Sequence, residues 1–207
     1  MVSKTSNLLK KYKLISEQVN QYKIKIILQI LEQTIKAGIE GDVTEFGCYI
    51  GTTSLFLQRL LIDSNKKLFV YDSFQGLPVK NNEDLSAAGT QFKAGELAIT
   101  KKDLIFEFKK SNLPIPIIKK GWFKDLENKD IPRLISLAFL DGDFYNSILD
   151  SLNLVWPNLN KNGVIIIDDY SNLALPGVVR ACNLFFKHKN GQFIFNINSG
   201  LGIFTKL

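Results

Sequence analysis

Apolar residues in this chain fall into blocks of two kinds, and the two kinds alternate. Residues 7–38 carry apolar positions at roughly helical spacing and close at Gly38, which predicts a helix. Asp42-Val-Thr-Glu-Phe-Gly follows as a short strand running into glycines. Thr52 to Leu61 reads as an apolar helix and Lys67 to Asp72 as a second strand. The polar stretch Gln75 to Gln91, rich in turn formers, reads as a long loop. Leu97 to Ser111 is predicted as a helix and Pro116-Ile-Ile-Lys as a third short strand. Ile135 to Asp141 and Gly163 to Asp168 are strands apolar enough to be buried on both faces. Between them Ile148 to Val155 forms a helix ended by Pro157. Pro176 to Lys189 forms another, with Pro176 suited to its first turn. The tail, two apolar runs around Asn-Ser-Gly, reads as a hairpin. Strands alternating with helices predict an α/β, Rossmann-like fold. Its sheet is mostly parallel, with helices on both faces and a C-terminal antiparallel hairpin. The expected organisation is a helical segment over 1–38, packed on the core, followed by one domain over 39–207.

Composition narrows the class. The chain has 207 residues, 45% hydrophobic and 22% charged, enough to bury a core without disulfides. Cys48 and Cys182 form no CxxC pair, which disfavours a disulfide scaffold or a zinc site and fits a reducing, cytoplasmic location. The polar N-terminus has no apolar signal core, and no apolar run reaches the ~18 residues of a membrane span. The net charge is +6, and residues 1–36 hold seven lysines against two glutamates. Without arginines or interleaved aromatics, that segment reads as a solvated helix face rather than an arm for nucleic acid. Its apolar positions need burial, so it is expected to pack on the core and help cover a substrate, with its lysines facing solvent. A homo-oligomer is compatible with this composition.

Candidate chemistry sits where an open α/β sheet binds ligands, beyond the carboxyl ends of its strands. Glu45, Gly47, Tyr49, Gly51, Thr52 and Thr53 follow the first strand, and Asp72 ends the second. Gly121 and Trp122 follow the third, Asp141 and Asp143 the fourth, and Asp168 and Asp169 the fifth. The glycines of the first loop permit close backbone approach, and the helix after it offers free N–H groups to an anion. The loop is not G-x-G-x-x-G, so the dinucleotide fingerprint is absent. Asp72 stands where a carboxylate accepts hydrogen bonds from ribose hydroxyls. Asp141 and Asp168, 27 positions apart, each just past an apolar strand, fall on one edge if those strands are adjacent. With Asp169 they form a cluster that repels itself unless a cation neutralises it. Oxygen donors without His or Cys suit Mg²⁺, Mn²⁺ or Ca²⁺. The bland alternative makes the aspartates loop caps. His188, the sole histidine, reads as a surface residue near a helix end, and Cys48 as a small packing residue.

Five runs together resemble the macrocin and mycinamicin sugar O-methyltransferases over residues 40–207. They are Gly41-Asp-Val-Thr-Glu-Phe-Gly-Cys-Tyr-Ile-Gly, Tyr71-Asp-Ser-Phe-Gln-Gly-Leu-Pro, Gly121-Trp-Phe-Lys-Asp, Leu140-Asp-Gly-Asp-Phe-Tyr-Asn-Ser and Ile167-Asp-Asp-Tyr. The resemblance implies the class I methyltransferase fold, S-adenosylmethionine as methyl donor, a divalent metal such as Mg²⁺, and a hydroxyl acceptor on a sugar or similar small diol. It implies that Glu45, Gly47, Gly51 and Thr53 hold the methionine end of the cofactor, with Tyr49 and Thr52 also among the cofactor-binding residues. Asp72 would take the ribose, Ser73 and Phe74 the adenosine, Trp122 the adenine, and Asp141 would also lie against the cofactor. It further implies that Asp141, Asp168 and Asp169 hold the metal, positions similar to those of the catechol O-methyltransferases. Phe144 stands where the catechol enzymes carry a lysine base, so Asp143 is the candidate base beside Asp141. Two rival readings are a nucleic-acid methyltransferase and a binding module without chemistry.

Overall fold

A computed structural model describes residues 3–88 and 92–207. Seven strands form one sheet: β1 (Asp42–Phe46), β2 (Leu68–Asp72), β3 (Ile117–Lys120), β4 (Ile135–Leu140), β5 (Leu159–Ile167), β6 (Gly191–Asn196) and β7 (Leu201–Lys206). Their order is β3-β2-β1-β4-β5-β7-β6. The first five run parallel, and β7 pairs antiparallel with both β5 and β6, so the predicted hairpin closes the sheet. Strand order reverses between β1 and β4, the switch point where such sheets open a crevice.

Alternate residues of the central strands feed two cores. Leu137, Phe139, Val43 and Val70 join one core, and Ala138, Leu140, Phe46 and Tyr71 the other. Helices α2 (Gln21–Lys36), α3 (Thr52–Leu61) and α4 (Lys101–Lys110) contribute to the first. Helices α5 (Tyr145–Val155) and α6 (Pro176–Phe186) cover the second. On α2, Ile24, Ile27, Leu28 and Leu31 are fully buried, each worth roughly 1.5–3 kcal/mol. The N-terminal segment is thus packed on the sheet by an ordinary amphipathic face.

Two expectations need correcting here. The single helix over 7–38 is two: α1 (Lys4–Lys11) and α2, separated by nine residues of irregular chain. The break has a local cause, because Asn20 caps α2 by accepting from the Lys23 N–H at 2.8 Å. Tyr12, where α1 ends, lies under the Arg59 guanidinium of α3 at 4.0 Å. The expected solvent exposure of the segment's lysines also fails at one position: Lys23 is buried, whereas the other six are exposed. The polar loop after β2 carries a 3₁₀ turn at Asn82–Asp84, and the end of that predicted loop, residues 89–91, lies outside the described residues. No helix among the described residues is long and apolar enough to cross a membrane.

Candidate active site

The carboxyl ends of β1, β2, β4 and β5 meet at one cavity of about 750 Å³. Gly47 leaves β1 with φ +84°, and a Cβ there would collide with the Asp141 carbonyl. The close crossing of this loop over the end of β4 is by itself enough to require the glycine, which also lies on the cavity wall. The loop continues through Tyr49, at φ +45°, to Gly51, the left-handed N-cap of α3. Its Cys48 N–H donates to Asp72 Oδ2 at 2.9 Å, while the Phe74 N–H donates to Asp72 Oδ1 at 2.7 Å. Each carboxylate oxygen thus accepts one backbone bond and keeps lone-pair capacity on the cavity wall, which suits a pair of ligand hydroxyls.

On the other side of the switch point, Leu140 pairs with Ile167, so Asp141 and Asp168 leave adjacent strands side by side. The Asp141 N–H donates to the Phe46 carbonyl and the Asp168 N–H to the Leu140 carbonyl, both at 2.8 Å, which fixes the two loop starts. Asp143 and Asp169 both adopt left-handed backbone, at φ +59° and +51°. With Tyr49 and Phe74 (φ +54°), each of these four strand-end loops holds one non-glycine residue in that region, a strain that clusters at functional sites.

Carboxylate oxygens of Asp141, Asp143 and Asp169 lie within 4.8 Å of one another. Oxygens on opposite sides of one Mg²⁺ stand about 4.2 Å apart. The three could therefore hold such an ion after a small closure, and their hard donors match it. Asp168 stands outside this trio. Its Oδ1 accepts from the Asp169 N–H at 2.7 Å and lies 2.6 Å from Lys23 Nζ, which is also 3.5 Å from Asp169 Oδ1. Burial and mutual repulsion push the Asp143 carboxyl up to about 8 and that of Asp168 up to about 6, and Asp141 is raised in the same way. Lys23 is held firmly protonated because its carboxylate partners overcome the cost of its burial. The ammonium of this site thus comes from α2, while the position three residues after Asp141 is the apolar Phe144.

The structure brings Gly47, Tyr49, Asp72, Ser73, Trp122, Asp141, Asp143, Asp168 and Asp169 to the cavity wall, nine of the residues singled out in the sequence. Glu45, Gly51, Thr52, Thr53 and Phe74 are not on it. Thr52 and Thr53 are buried at the start of α3, and Phe74 joins the first core. Glu45 is wholly buried beneath the loop with neither oxygen hydrogen-bonded, and desolvation pushes its carboxyl up to about 8. His188 is exposed just beyond α6, away from the cavity wall. Burial pushes the Cys48 thiol up, which keeps it protonated and leaves it a packing residue.

Several wall residues carry no sequence signal of their own. Gln18 arrives from the α1–α2 connection, and Val79 and Asp84 come from the loop after β2. Asp84 acts as a tether. Its Oδ1 accepts the Tyr145 N–H at 2.7 Å, capping α5 from a distance and fastening the loop over the cavity.

A sequence profile of the macrocin O-methyltransferase family matches residues 13–199. The chain belongs to the macrocin O-methyltransferase family. Among the relatives of this family member, the 8-demethyl-8-(2,3-dimethoxy-alpha-L-rhamnosyl)-tetracenomycin-C 4'-O-methyltransferase of Streptomyces olivaceus is 31% identical over 154 residues, 70% of this chain and 59% of that protein. The mycinamicin III 3''-O-methyltransferase of Micromonospora griseorubida is 30% identical over 151 residues, 68% of this chain and 59% of that protein. The chain thus spans about 60% of the length of the curated relatives it matches. The structure of the O-methyltransferase NovP superposes with a TM-score of 0.75 at 24% identity, covering 90% of this chain and 80% of the other, which shows a shared fold.

Proposed function

We propose that this macrocin O-methyltransferase family member transfers a methyl group from S-adenosylmethionine to a hydroxyl of a sugar or similar diol-bearing small molecule, with a divalent cation, Mg²⁺ or a similar ion, at the acidic rim. The observation that carries the reading is the convergence of Asp72 and the cluster of Asp141, Asp143 and Asp169 on one cavity. Asp72 binds the cofactor ribose, with Ser73 and Trp122 on the adenosine side and Gly47 and Tyr49 toward the methionine end. Glu45, Gly51, Thr52 and Thr53 support this loop from beneath. Asp141 and Asp169 answer for the cation, with Asp143 completing the trio and Asp168 beside it on Lys23.

S-adenosylmethionine, when bound, supplies a methyl group already electrophilic on its sulfonium. A divalent cation, when bound, lowers the pKa of a nearby hydroxyl. The protein's own part is to hold the acceptor oxygen in line with the methyl carbon and to exclude water. Asp143, on the cavity wall, would take the proton that the acceptor hydroxyl gives up when the cofactor's sulfonium supplies the methyl group. The N-terminal segment covers the acceptor side through Gln18, in the connection between α1 and α2. The relatives' names, with rhamnosyl tetracenomycin and mycinamicin as the methylated molecules, support a glycosylated small-molecule acceptor over nucleic acid.

The cofactor assignment is tested by calorimetric titration of S-adenosylmethionine. Asp72→Ala removes both ribose acceptors and should weaken binding by on the order of tenfold or more, as expected for lost hydrogen bonds to a charged group. Unchanged affinity in that variant would remove Asp72 from the site.

A further inference from the structure

Lys23 is the one lysine of the N-terminal segment that is buried, and its surroundings explain why. It sits in the first turn of α2, and that helix is fastened to the sheet by Ile24, Ile27, Leu28 and Leu31. Its side chain is 11% exposed and reaches the carboxyl edge of β5, with Nζ 2.6 Å from Asp168 Oδ1 and 3.5 Å from Asp169 Oδ1. An ammonium taken out of water at this depth needs carboxylate partners. Both partners belong to the acidic rim read above as the cation site.

We infer that Lys23 is a resident counter-ion that competes with the divalent cation for Asp168 and Asp169, and so sets how tightly this chain holds that cation. The inference rests on the reading of the rim as a cation site. Asp169 is decisive, because it is shared. It belongs to the trio whose oxygens lie within 4.8 Å of one another, and it also faces Lys23. A cation drawn to that trio arrives close to a fixed positive charge that repels it. Asp168 is the more strongly committed of the two. Its Oδ1 already serves Lys23 and the Asp169 N–H, so a cation that takes this oxygen must displace one of them. Lys23 meets two of the rim's four carboxyl groups, Asp168 and Asp169, so its charge reduces the attraction of the rim for a divalent ion without occupying the Asp141 and Asp143 oxygens. The affinity of a carboxylate site follows the charge count of its surroundings, so removal of Lys23 strengthens the site.

The test is a Mn²⁺ titration of the full chain at neutral pH, with neither cofactor nor acceptor, reading free Mn²⁺ by its electron paramagnetic resonance signal. Wild type is compared with Lys23→Met, Lys23→Gln and Lys23→Arg, each checked for folding by circular dichroism. Met and Gln keep most of the side-chain volume and lose the charge, and either alone suffices if the other does not fold. Both should bind Mn²⁺ on the order of tenfold more tightly than wild type, and Arg should behave as wild type. If no folded neutral variant binds Mn²⁺ more tightly than wild type, the competition is overturned while the cation site stands. No saturable Mn²⁺ binding in any of the four proteins removes the cation site itself and the inference with it.

Discussion

Glu45 shows how far a single side chain can depart from its ordinary state. It ends up wholly buried on β1 with no hydrogen-bond partner for either oxygen, and its carboxyl is pushed from near 4.5 up to about 8. The folded chain therefore holds this proton more tightly than the unfolded chain. The resulting stability is fully present below about 4.5 and is lost as pH rises through about 8. Glu45→Gln replaces the protonated carboxyl by a neutral amide of the same shape. Its melting temperature relative to wild type should be flat below about pH 4.5, rise between about 4.5 and 8, and level off above that. Asp143 and Asp168 have the same sign and slope wild type too, but they are common to both proteins, so the difference isolates Glu45. A difference that does not change with pH would show that Glu45 is ionised in the fold. At this scale the sequence is a partial guide. A glutamate at the end of a strand is legible as a first-loop residue. Its burial beneath the loop depends on how α3 closes over it, which no local pattern records.

Elements follow the sequence where a face is periodic and depart from it where a cap or a distant partner decides. The central strands are legible because β4 and the second half of β5 are almost wholly apolar, and parallel strands buried on both faces have no polar register to hide. The break between α1 and α2 is written in Asn20, but its side chain competes with a helical spacing that runs through it. The loop after β2 is legible only as polar chain, because its anchor, Asp84, finds its partner 61 residues away at Tyr145. The Arg180 guanidinium adds a hydrogen bond to the Glu83 carbonyl, and Ser86 Oγ donates to the Leu173 carbonyl at 2.6 Å. Asp84→Ala should cost about 1–2 kcal/mol through the lost α5 cap. It should also speed proteolytic cleavage within 77–88 while the sheet remains intact, because that stretch then opens without global unfolding. Cleavage at the wild-type rate would mean that the loop is held by its other contacts and not by Asp84.

For the whole molecule, topology does what no single motif does. The order β3-β2-β1-β4-β5 puts Asp72 on one side of the switch point and Asp141, Asp143, Asp168 and Asp169 on the other, around one cavity. Short runs spread across the sequence are informative together because the fold collects them at this edge. Lys23 is illegible in the sequence for the same reason: its partners lie 145 and 146 residues further along the chain, and the other lysines of its segment are exposed. The central claim is methyl transfer at this edge with a divalent cation present. The most direct measurement is mass spectrometry after incubating the protein with methyl-labelled S-adenosylmethionine and a panel of glycosylated and diol-bearing small molecules. Each reaction is run with Mg²⁺, with excess chelator, and with Mg²⁺ restored after chelation. The expected result is one labelled methyl on an acceptor hydroxyl, lost on chelation and regained with Mg²⁺. Transfer at full rate in excess chelator would contradict the claim, and would make the aspartates at the ends of β4 and β5 structural caps or proton carriers.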